Sequence, residues 1–474
     1  WVILAMVKIS KAVFDLSDTI TIAGFELSSS VVIVIGSLLV TGIYSAMSGF
    51  WGVIITDFIQ FIIAFVGTGL LAWYAVDHVG GLDALRTQIS ALPEAGPKFF
   101  EVIPSAGPVL VVFWVGLTVQ WWSSMWVDGG MMMAQRSLAA KSEKHAEIGR
   151  YWGHLAQIGI IVWPWIIAAL CSLIIFPISE YPQLATDPES AYPMLILKVL
   201  PVGLRGVVVA GLFAAFMSSV TTLLNTKSSY VVNDLYRRFL VKEADPKHYV
   251  RVGRIVTIVI MLIGGYMATT SKSVLGLSQL MAQFTGGVGA IFVLRWLWWR
   301  INAWSEITAY LSSGFFGIML NVGPCVALTH RVVRAFSPAS FDPRVDTFFL
   351  ETLTGPEGWA YRLVIIALSA TIASLVVTLL TPPTETEHLH RFYRQVKPYG
   401  PGWAKVRRDV GPVPLLPNQL SFDWKRLAAG GVCFYATFWA IGKLTLGFWG
   451  AAVAPGIIAA ISGVVLYRQW RKFA

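Results

Sequence analysis

Long apolar segments, separated by short polar ones, recur along the whole chain. Each has roughly 20 residues, enough for an α-helix to cross about 30 Å of hydrocarbon, and alternating segments of strand length are not evident. The pattern predicts an all-α polytopic membrane protein with about 12 transmembrane helices. The crossings are expected near residues 1–16, 29–47, 51–76, 108–127, 151–178, 203–226, 252–271, 275–297, 303–324, 360–381, 427–443 and 447–467.

Composition supports this class and leaves no room for a separate soluble domain. The 474 residues are 56% hydrophobic and only 13% charged, with a mean hydropathy of +0.66. These values exclude an ordinary soluble protein. The longest polar segment, 382–426, is predicted to be a charged connector in which PYGPGW and PVPLLP form extended turns.

The net charge of +10 is unevenly distributed between the loops. If the first crossing ends outside, the acidic loops 17–28 and 77–107 face out. The basic segments 136–150, 227–254 and 391–426 then face the cytoplasm, as the positive-inside rule requires. Cytoplasmic loops beside anionic lipid account for the charge, so we expect the lipid bilayer, and no nucleic acid, as a partner.

Motifs of soluble metal and nucleotide sites are weak. Cys171, Cys325 and Cys433 lie far apart without a CxxC pair, which indicates neither a disulfide framework nor a zinc site. GGVGA at 286–290 lacks a preceding strand, and the pattern favours close helix packing over a nucleotide-binding loop.

The stretch FAAFMSSVTTLLNTKSS, residues 213–229, places many hydroxyls in a predicted membrane helix. Four residues recur at i, i+3, i+4 and i+7 and therefore share one helix face. They are Ala215, Ser218, Ser219 and Thr222. Such residues permit close helix packing and bonds to the i−4 carbonyl. They are also the neutral oxygen ligands that a hard cation such as Na+ prefers. A second row, Thr221, Asn225 and Ser228, favours the cation site.

Asp57, in WGVIITDFIQF, is a charged group at matching depth. An ionised carboxylate near the middle of a membrane helix costs about 2.5–3.5 kcal/mol, so it normally faces a partner or a watery cavity. At 1.5 Å per residue from the predicted cytoplasmic ends, Asp57 lies roughly 9 Å and Thr222 roughly 7 Å into the membrane. The two side chains can therefore meet, either at a functional site or in a structural ion pair.

The stretch WWSSMWVDGGMMMAQR, residues 121–136, joins a tryptophan-rich helix to Asp128 and a glycine pair at 129–130. Paired glycines are typical of a broken transporter helix, and tryptophan faces can stack on a sugar or a cation. The alternative is an interfacial aromatic belt followed by a loop. Lys8 and Lys11 also lie in a predicted membrane helix, where a charged side chain is costly. The alternative is that these side chains extend to an interface.

Three stretches resemble the sodium-solute symporter family, which includes bacterial sodium-galactose and sodium-proline transporters. They are YSAMSGFWGVIITDFIQF at 44–61, AQRSLAAKSEKHA at 134–146 and LFAAFMSSVTTLLNTKSSYVVNDLY at 212–236. The resemblance implies a LeuT-type fold of two inverted five-helix repeats. Residues 1–300 would form core helices three to ten of the transporter, and 301–474 additional transmembrane helices.

The resemblance also implies an activity and its ion. We expect a sodium-coupled symporter that imports a small polar solute by alternating access across a bacterial inner membrane. The first candidate solute is a sugar, and the alternatives are an amino acid or a carboxylate. The Ala215 carbonyl and the Ser218 and Ser219 hydroxyls match ligands of the family's common sodium. Asp57 and Thr222 match a second sodium site found in some members.

Substrate contacts carried over from sugar-transporting relatives fall on six residues. They are Trp122, Trp126, Asp128, Gln157, Gln279 and Gln283. The sequence departs from the family here, because Trp126, Asp128 and the glycine pair replace an asparagine-containing pattern. Gln157 stands where sugar transporters carry lysine, so the substrate stays open.

The family's first two core helices have no counterpart, since the chain opens at Trp1 inside an apolar helix. We expect a piece of a longer symporter that does not transport as written. A transporter-like membrane sensor without transport is the alternative, but it would carry a signalling domain where only YRQWRKFA follows. An enzyme would need clustered histidines or carboxylates at one depth, and the sequence pattern does not indicate such a cluster. We therefore expect no enzymatic activity. We also expect no obligate protein partner.

Overall fold

A computed structural model shows the fold. It describes every residue except 23, 94–98, 102, 105–106, 124–126, 128–133, 135–136, 338–341, 356, 399, 414–423 and 472–474. For residues 44–54, 108 and 342 it describes the backbone only.

Helices make up most of the described chain, and every predicted crossing overlaps at least one of them. In the first half they are α1 (Val2–Val13), α2 (Ser29–Val79), α3 (Leu82–Ser90), α4 (Pro108–Val115), α5 (Trp121–Ser123), α6 (Glu143–His154), α7 (Val162–Ile175), α8 (Gln183–Thr186), α9 (Ala191–Val199) and α10 (Val202–Tyr230). In the second half they are α11 (Pro246–Thr270), α12 (Val274–Phe284), α13 (Val288–Leu297), α14 (Ala303–Asn321), α15 (Gly323–Phe336), α16 (Asp342–Thr347), α17 (Gly358–Leu380), α18 (Thr386–Val396), α19 (Ala404–Val410), α20 (Trp424–Thr445) and α21 (Trp449–Arg471). The π-helical segments are Gly116–Gln120, Leu155–Ile160, Val231–Leu240 and Phe348–Thr352, and Pro188–Ser190 is a 3-10 turn.

The helices expose apolar side chains that only lipid can cover. Within the described residues, seven helices are long and apolar enough to cross a membrane, or nine if two bent pairs count as spans. Trp73 is 74% exposed, Leu262 68% and Leu311 70%. Because soluble proteins rarely expose large contiguous apolar surfaces, the protein is an integral membrane protein. The number of about 12 crossings stays a prediction.

The crossings predicted at 29–47 and 51–76 are one helix in the structure. α2 continues without interruption for 51 residues, which is about 76 Å at 1.5 Å per residue. The sequence between the two predicted crossings contains no proline, so every residue there can donate its backbone hydrogen bond. The structure therefore shows no interruption between the two predicted crossings.

A β-hairpin lies in the loop between α1 and α2, where the pattern had indicated no strands. β1 (Thr19–Ile22) pairs antiparallel with β2 (Phe25–Ser28), and Thr19 lies opposite Ser28. Threonine and isoleucine favour strands, and Gly24 at the turn has a φ of 87°, which glycine adopts at low cost. Each strand has only 4 residues, which is too short for an alternating pattern to be evident among the apolar segments.

The connector 382–426 is more structured than predicted. α18 and α19 lie within it, and the described residues of PYGPGW lie between them, whereas most of PVPLLP falls outside the described residues. The two helices share a buried cluster that also contacts Trp299. The cluster consists of Leu389, Tyr393, Trp403 and Val406. The Gly402 N–H donates to the Leu297 carbonyl at 2.9 Å, and Trp403 Nε1 donates to the Arg295 carbonyl at 3.1 Å. The connector therefore packs on the end of α13.

The chain forms two compact units. The first consists of Trp1–Phe99, Lys144–Leu275 and Asp423–Ala474, and the second of Phe100–Glu143 and Gly276–Phe422. In the first unit α2 packs on α10 and α20 packs on α21, whereas in the second α14 packs on α17. The functional division at residue 300 into core and additional helices stays a prediction.

Close helix packing surrounds the glycines of GGVGA in the second unit, as the sequence predicted. Gly287 lies against Ala370 of α17, and its N–H donates to Ser313 Oγ at 2.9 Å. A Cβ atom at this position would collide with the Ala370 side chain. Only glycine allows the three helices to approach this closely.

Gly287→Val is therefore expected to destabilise the protein by about 1–3 kcal/mol or more, because overpacking forces backbone shifts. The loss is measured as a lower Tm of the purified protein in detergent. Gly314→Val, on the neighbouring α14 with open space around its Cβ position, is the matched control and leaves the Tm nearly unchanged. Equal Tm values for both variants would contradict the packing role.

Lys8 is held by two carboxylates at one end of the first unit. Its Nζ lies 2.6 Å from Asp187 Oδ1 and 2.7 Å from Glu189 Oε2. Glu189 also accepts the N–H groups of Val274 and Leu275, at 3.0 and 2.9 Å, in the first turn of α12. A single carboxylate thus joins α1 to the start of α12.

Burial alone would raise the pKa of Glu189, but hydrogen bonds from the Leu275 N–H and from Lys8 outweigh it and lower the pKa to about 2. The ordinary value is 4.5. Because the folded-state pKa is the lower one, the ionised carboxylate stabilises the fold fully above the ordinary value. That stabilisation is lost as the pH falls through about 2. The contact therefore persists at mildly acidic pH.

Lys11 lies at the exposed end of α1 and pairs with Asp18 at 2.9 Å. The Asp18 side chain is 99% exposed, so water screens this pair. The open question of Lys8 and Lys11 is thus resolved differently for each. Lys8 is partly buried and paired twice, whereas Lys11 extends to the surface.

Candidate cation site

Two helices of the first unit, α2 and α10, approach closely through glycines. A Cβ atom added at Gly211 would lie 3.2 Å from Ala64 Cα, and one added at Gly67 would lie 3.4 Å from Val208 Cα. The first distance is shorter than ordinary van der Waals contact. Positions rise along one helix as they fall along the other, so the pair is antiparallel.

This register brings Asp57 to the hydroxyl-rich face of α10. Asp57 lies seven residues before Ala64, and Ser218 lies seven residues after Gly211. The Ser218 hydroxyl donates to Asp57 Oδ1 at 2.5 Å, and both side chains are half-buried. The contact joins a membrane carboxylate to a hydroxyl from a second helix. It places the charge of Asp57 on the face that carries the predicted ligands.

Two further oxygen atoms, each three residues along its own helix from this contact, are buried without a hydrogen-bond partner among the described residues. They are Thr221 Oγ1 and Gln60 Oε1. An unsatisfied buried oxygen costs about 1–3 kcal/mol, so each can accept a cation or a water. Thr221 follows Ser218 by three residues, and Gln60 follows Asp57 by three, so both lie on the same faces.

The sequence also carries a signal for Gln60. In TDFIQ the glutamine follows Asp57 at i+3, the spacing that puts two side chains on one helix face. The sequence places Thr221 in the second row of polar residues. Its side chain is fully buried, and Thr222 beside it is 8% exposed.

The remaining predicted sodium ligands on α10 are Ala215, Ser219 and Thr222. Ser219 is half-buried, and Ala215 is exposed. The Thr222 carbonyl accepts the Thr226 hydroxyl at 2.7 Å, an i−4 bond of the kind that hydroxyls make in ordinary membrane helices. The structure brings Ser218 and Asp57 into contact, and the sodium roles of all five predicted residues stay predictions.

The predicted substrate residues fall in both units, and each is described within its own. In the second unit Trp122 and Gln279 are half-buried, and Gln283 is 2% exposed. Asn321 Nδ2 donates to Gln283 Oε1 at 2.7 Å, which ties α12 to α14. Gln283 therefore has a packing role that the sequence had not indicated.

Gln157 lies in the first unit, where its side chain is exposed on the π-helical segment Leu155–Ile160. Trp126, Asp128 and the glycine pair at 129–130 lie outside the described residues. The predicted broken helix at these glycines is therefore untested, and the six substrate assignments stay predictions.

The family of the chain follows from comparison with known proteins. A model of the sodium:solute symporter family matches residues 5–311, well over half of the chain. The chain belongs to the sodium:solute symporter family. The family resemblance predicted from the three sequence stretches is thereby confirmed.

The known proteins that this chain is similar to include sodium cotransporters. The sodium/glucose cotransporter of Vibrio parahaemolyticus is 27% identical, over 68% of this chain and 64% of that protein. Sodium/glucose cotransporter 4 of Danio rerio is 25% identical, over 81% and 61%. Sodium/myo-inositol cotransporter 2 of Oryctolagus cuniculus is 27% identical, over 76% and 56%. The chain spans about six-tenths of the length of these relatives.

Among solved structures, a Na+-coupled sialic acid symporter in a substrate-bound outward-open state matches this symporter-family chain. The TM-score is 0.51 at 20% identity, over 81% of this chain and 72% of that chain. The likeness confirms the predicted transporter fold.

Proposed function

We propose that the protein is a sodium-coupled symporter that imports a small polar solute by alternating access. The observation that carries this proposal is the contact between Ser218 and Asp57. The buried oxygens of Thr221 and Gln60, which have no hydrogen-bond partner in the described part of the chain, support it. One carboxylate with neutral oxygens suits a hard monovalent cation, which must bind and be released in every cycle. Membership of a sodium:solute symporter family supports the same ion.

Within this proposal the sodium ligands form two groups, one shared by α2 and α10 and one on α10 alone. Asp57, Ser218, Thr221 and Thr222 surround one ion, with Gln60 at its edge. The Ala215 carbonyl and the hydroxyls of Ser218 and Ser219 contribute to another. Each positive charge that enters the cell down a membrane potential of about 100 mV contributes roughly 2.3 kcal/mol to solute accumulation. Two ions would therefore drive on the order of a thousandfold accumulation of solute.

The solute class we propose is a sugar or another polyol. The printed names of the relatives, sodium/glucose and sodium/myo-inositol cotransporter, support polyhydroxylated solutes. Glutamines and tryptophans suit such solutes, since an amide pairs with hydroxyls and an indole face covers a sugar ring. Amino acids and carboxylates remain the alternative substrates. We place the protein in the inner membrane of a bacterium, as its basic loops and the Vibrio relative suggest.

Uptake into proteoliposomes tests the proposal. Protein expressed from its complete gene is expected to accumulate labelled glucose or myo-inositol when sodium is outside, and not when choline replaces it. Ser219→Ala is expected to weaken the sodium dependence about tenfold, since a lost ligand to a charged group costs about 1.5–3 kcal/mol. Ser229→Ala, an exposed serine of the same helix, is the control. Uptake that ignores the sodium gradient would overturn the proposal.

A further inference from the structure

The chain turns sharply after α14, the helix that lies within the predicted crossing 303–324. α14 and α15 meet at 92°, and Val322 between them has an extended backbone. Crossing helices tilt by about 20° on average, so a helix perpendicular to one lies close to the membrane plane. α15 has 14 residues and is therefore about 21 Å long. By the predicted topology it lies at the outer surface.

Contacts at the bend and on the inner face of α15 fix the orientation of the helix. Thr329 Oγ1 donates to the carbonyls of Met319 and Cys325, at 3.3 and 2.8 Å, and so spans the bend. The His330 ring stacks on Phe349 at 5.1 Å, and its Nε2 lies 2.7 Å from an oxygen of Asp346. This face is therefore committed to the second unit.

The opposite face of α15 carries an apolar stripe, which we call the outer stripe. It consists of Leu328, Val332 and Phe336, at i, i+4 and i+8. Their exposed fractions are 55%, 48% and 88%. Val332 follows His330 by two residues, which is about 200° around the helix, so the outer stripe points away from the packed face.

Arg331, which is exposed, flanks the outer stripe on one side. Arg334 follows Val332 by two residues and therefore lies toward the packed face, 3.4 Å from Asp346. An apolar stripe beside basic residues is typical of helices that lie in a membrane surface. The guanidinium group suits phosphate oxygens, which it can bind through two donors at once.

We propose that α15 is an interfacial helix. Its outer stripe inserts at the boundary between headgroups and acyl chains of the outer leaflet, and Arg331 binds the phosphate of an anionic phospholipid. The end of a crossing helix is where that boundary lies, and the arginine gives the helix the charge opposite to that of the lipid. This inference does not rest on the proposed transport activity.

Alkylation of single cysteines by a membrane-impermeant maleimide tests the insertion. Val332→Cys reports on the outer stripe and Ala327→Cys on the exposed polar flank, each in a chain whose Cys171, Cys325 and Cys433 are alanines. In vesicles of phosphatidylcholine with phosphatidylglycerol, Val332→Cys is expected to react at least about tenfold more slowly than Ala327→Cys. Equal rates would overturn the proposal, and so would oxidative cross-linking of Val332→Cys between copies, which would mean that a second protein covers the stripe.

Two further variants separate the apolar and the charged contributions. Phe336→Ser, which removes the most exposed apolar side chain, is expected to raise the rate at Val332→Cys in both lipids. Arg331→Gln is expected to raise that rate about fivefold with phosphatidylglycerol and to leave it unchanged in pure phosphatidylcholine. The fivefold change corresponds to the roughly 1 kcal/mol that a basic residue contributes near an anionic surface. An Arg331→Gln rate that does not depend on lipid charge would overturn the phosphate contact. An unchanged Tm in detergent confirms that the variants are folded.

Discussion

Asp57→Asn is expected to raise the sodium concentration for half-maximal uptake about 10- to 100-fold. An interaction with a charged group contributes about 1.5–3 kcal/mol, and the amide keeps the shape of the carboxylate while removing its charge. The Ser218 hydroxyl can still donate to the amide oxygen, so the packing of α2 on α10 is retained. The measurement is initial uptake by proteoliposomes over a range of sodium concentrations.

Asp77→Asn is the matched control for this prediction, because Asp77 is exposed at the far end of the same helix. It is expected to leave the sodium dependence unchanged. At saturating sodium, Asp57→Asn should also retain its apparent affinity for the solute. A sodium requirement that does not differ between the two variants would show that Asp57 is structural and not a ligand.

Lys8→Met is expected to lower the free energy of unfolding by about 2 kcal/mol. The methionine fills much of the same volume but leaves the carboxylates of Asp187 and Glu189 close together without a cation. The Lys8 side chain is only 16% exposed, so water replaces the lost contacts incompletely. A Tm several degrees lower in detergent is the expected observation.

The control for Lys8→Met comes from the same helix. Lys11→Met removes a pair with the fully solvated Asp18 and is expected to change the Tm very little. The double variant Lys8→Met, Glu189→Gln should be less destabilised than the two single losses combined, because it removes the uncompensated charge as well. Additive losses would mean that Lys8 and Glu189 do not act as a pair.

A partner for Asp57 on the polar face of α10 could be expected from local patterns. A carboxylate in an apolar helix is costly enough to indicate a partner, and the 3.6-residue period put Ser218 on a polar face. Neither pattern determines which hydroxyl meets Asp57. That choice depends on the register between α2 and α10. The register is set where Gly67 packs on Val208 and Gly211 packs on Ala64. These contacts join segments about 150 residues apart, and no local rule reports them.

The fold was predictable where hydrophobicity decides it and less so where turns decide it. Every expected crossing coincides with helix, since an apolar run of this length has few alternatives in lipid. The continuity of α2 and the right-angle bend at Val322 depend on single backbone conformations instead. The helices of the connector depend on a tertiary contact, because Trp403 and Gly402 bond to α13, which is distant in sequence.

The fit at Gly211 means that the geometry of the proposed cation site is controlled from two helical turns away. A single methyl group there would lie 3.2 Å from Ala64 Cα, so one helix would have to shift by a few tenths of an ångström. That shift would lengthen the gap between Asp57 and Ser218 although neither residue had changed. The selectivity of the proposed site for ions of different radius would then depend on the size of the side chain at position 211, which does not contact the ion.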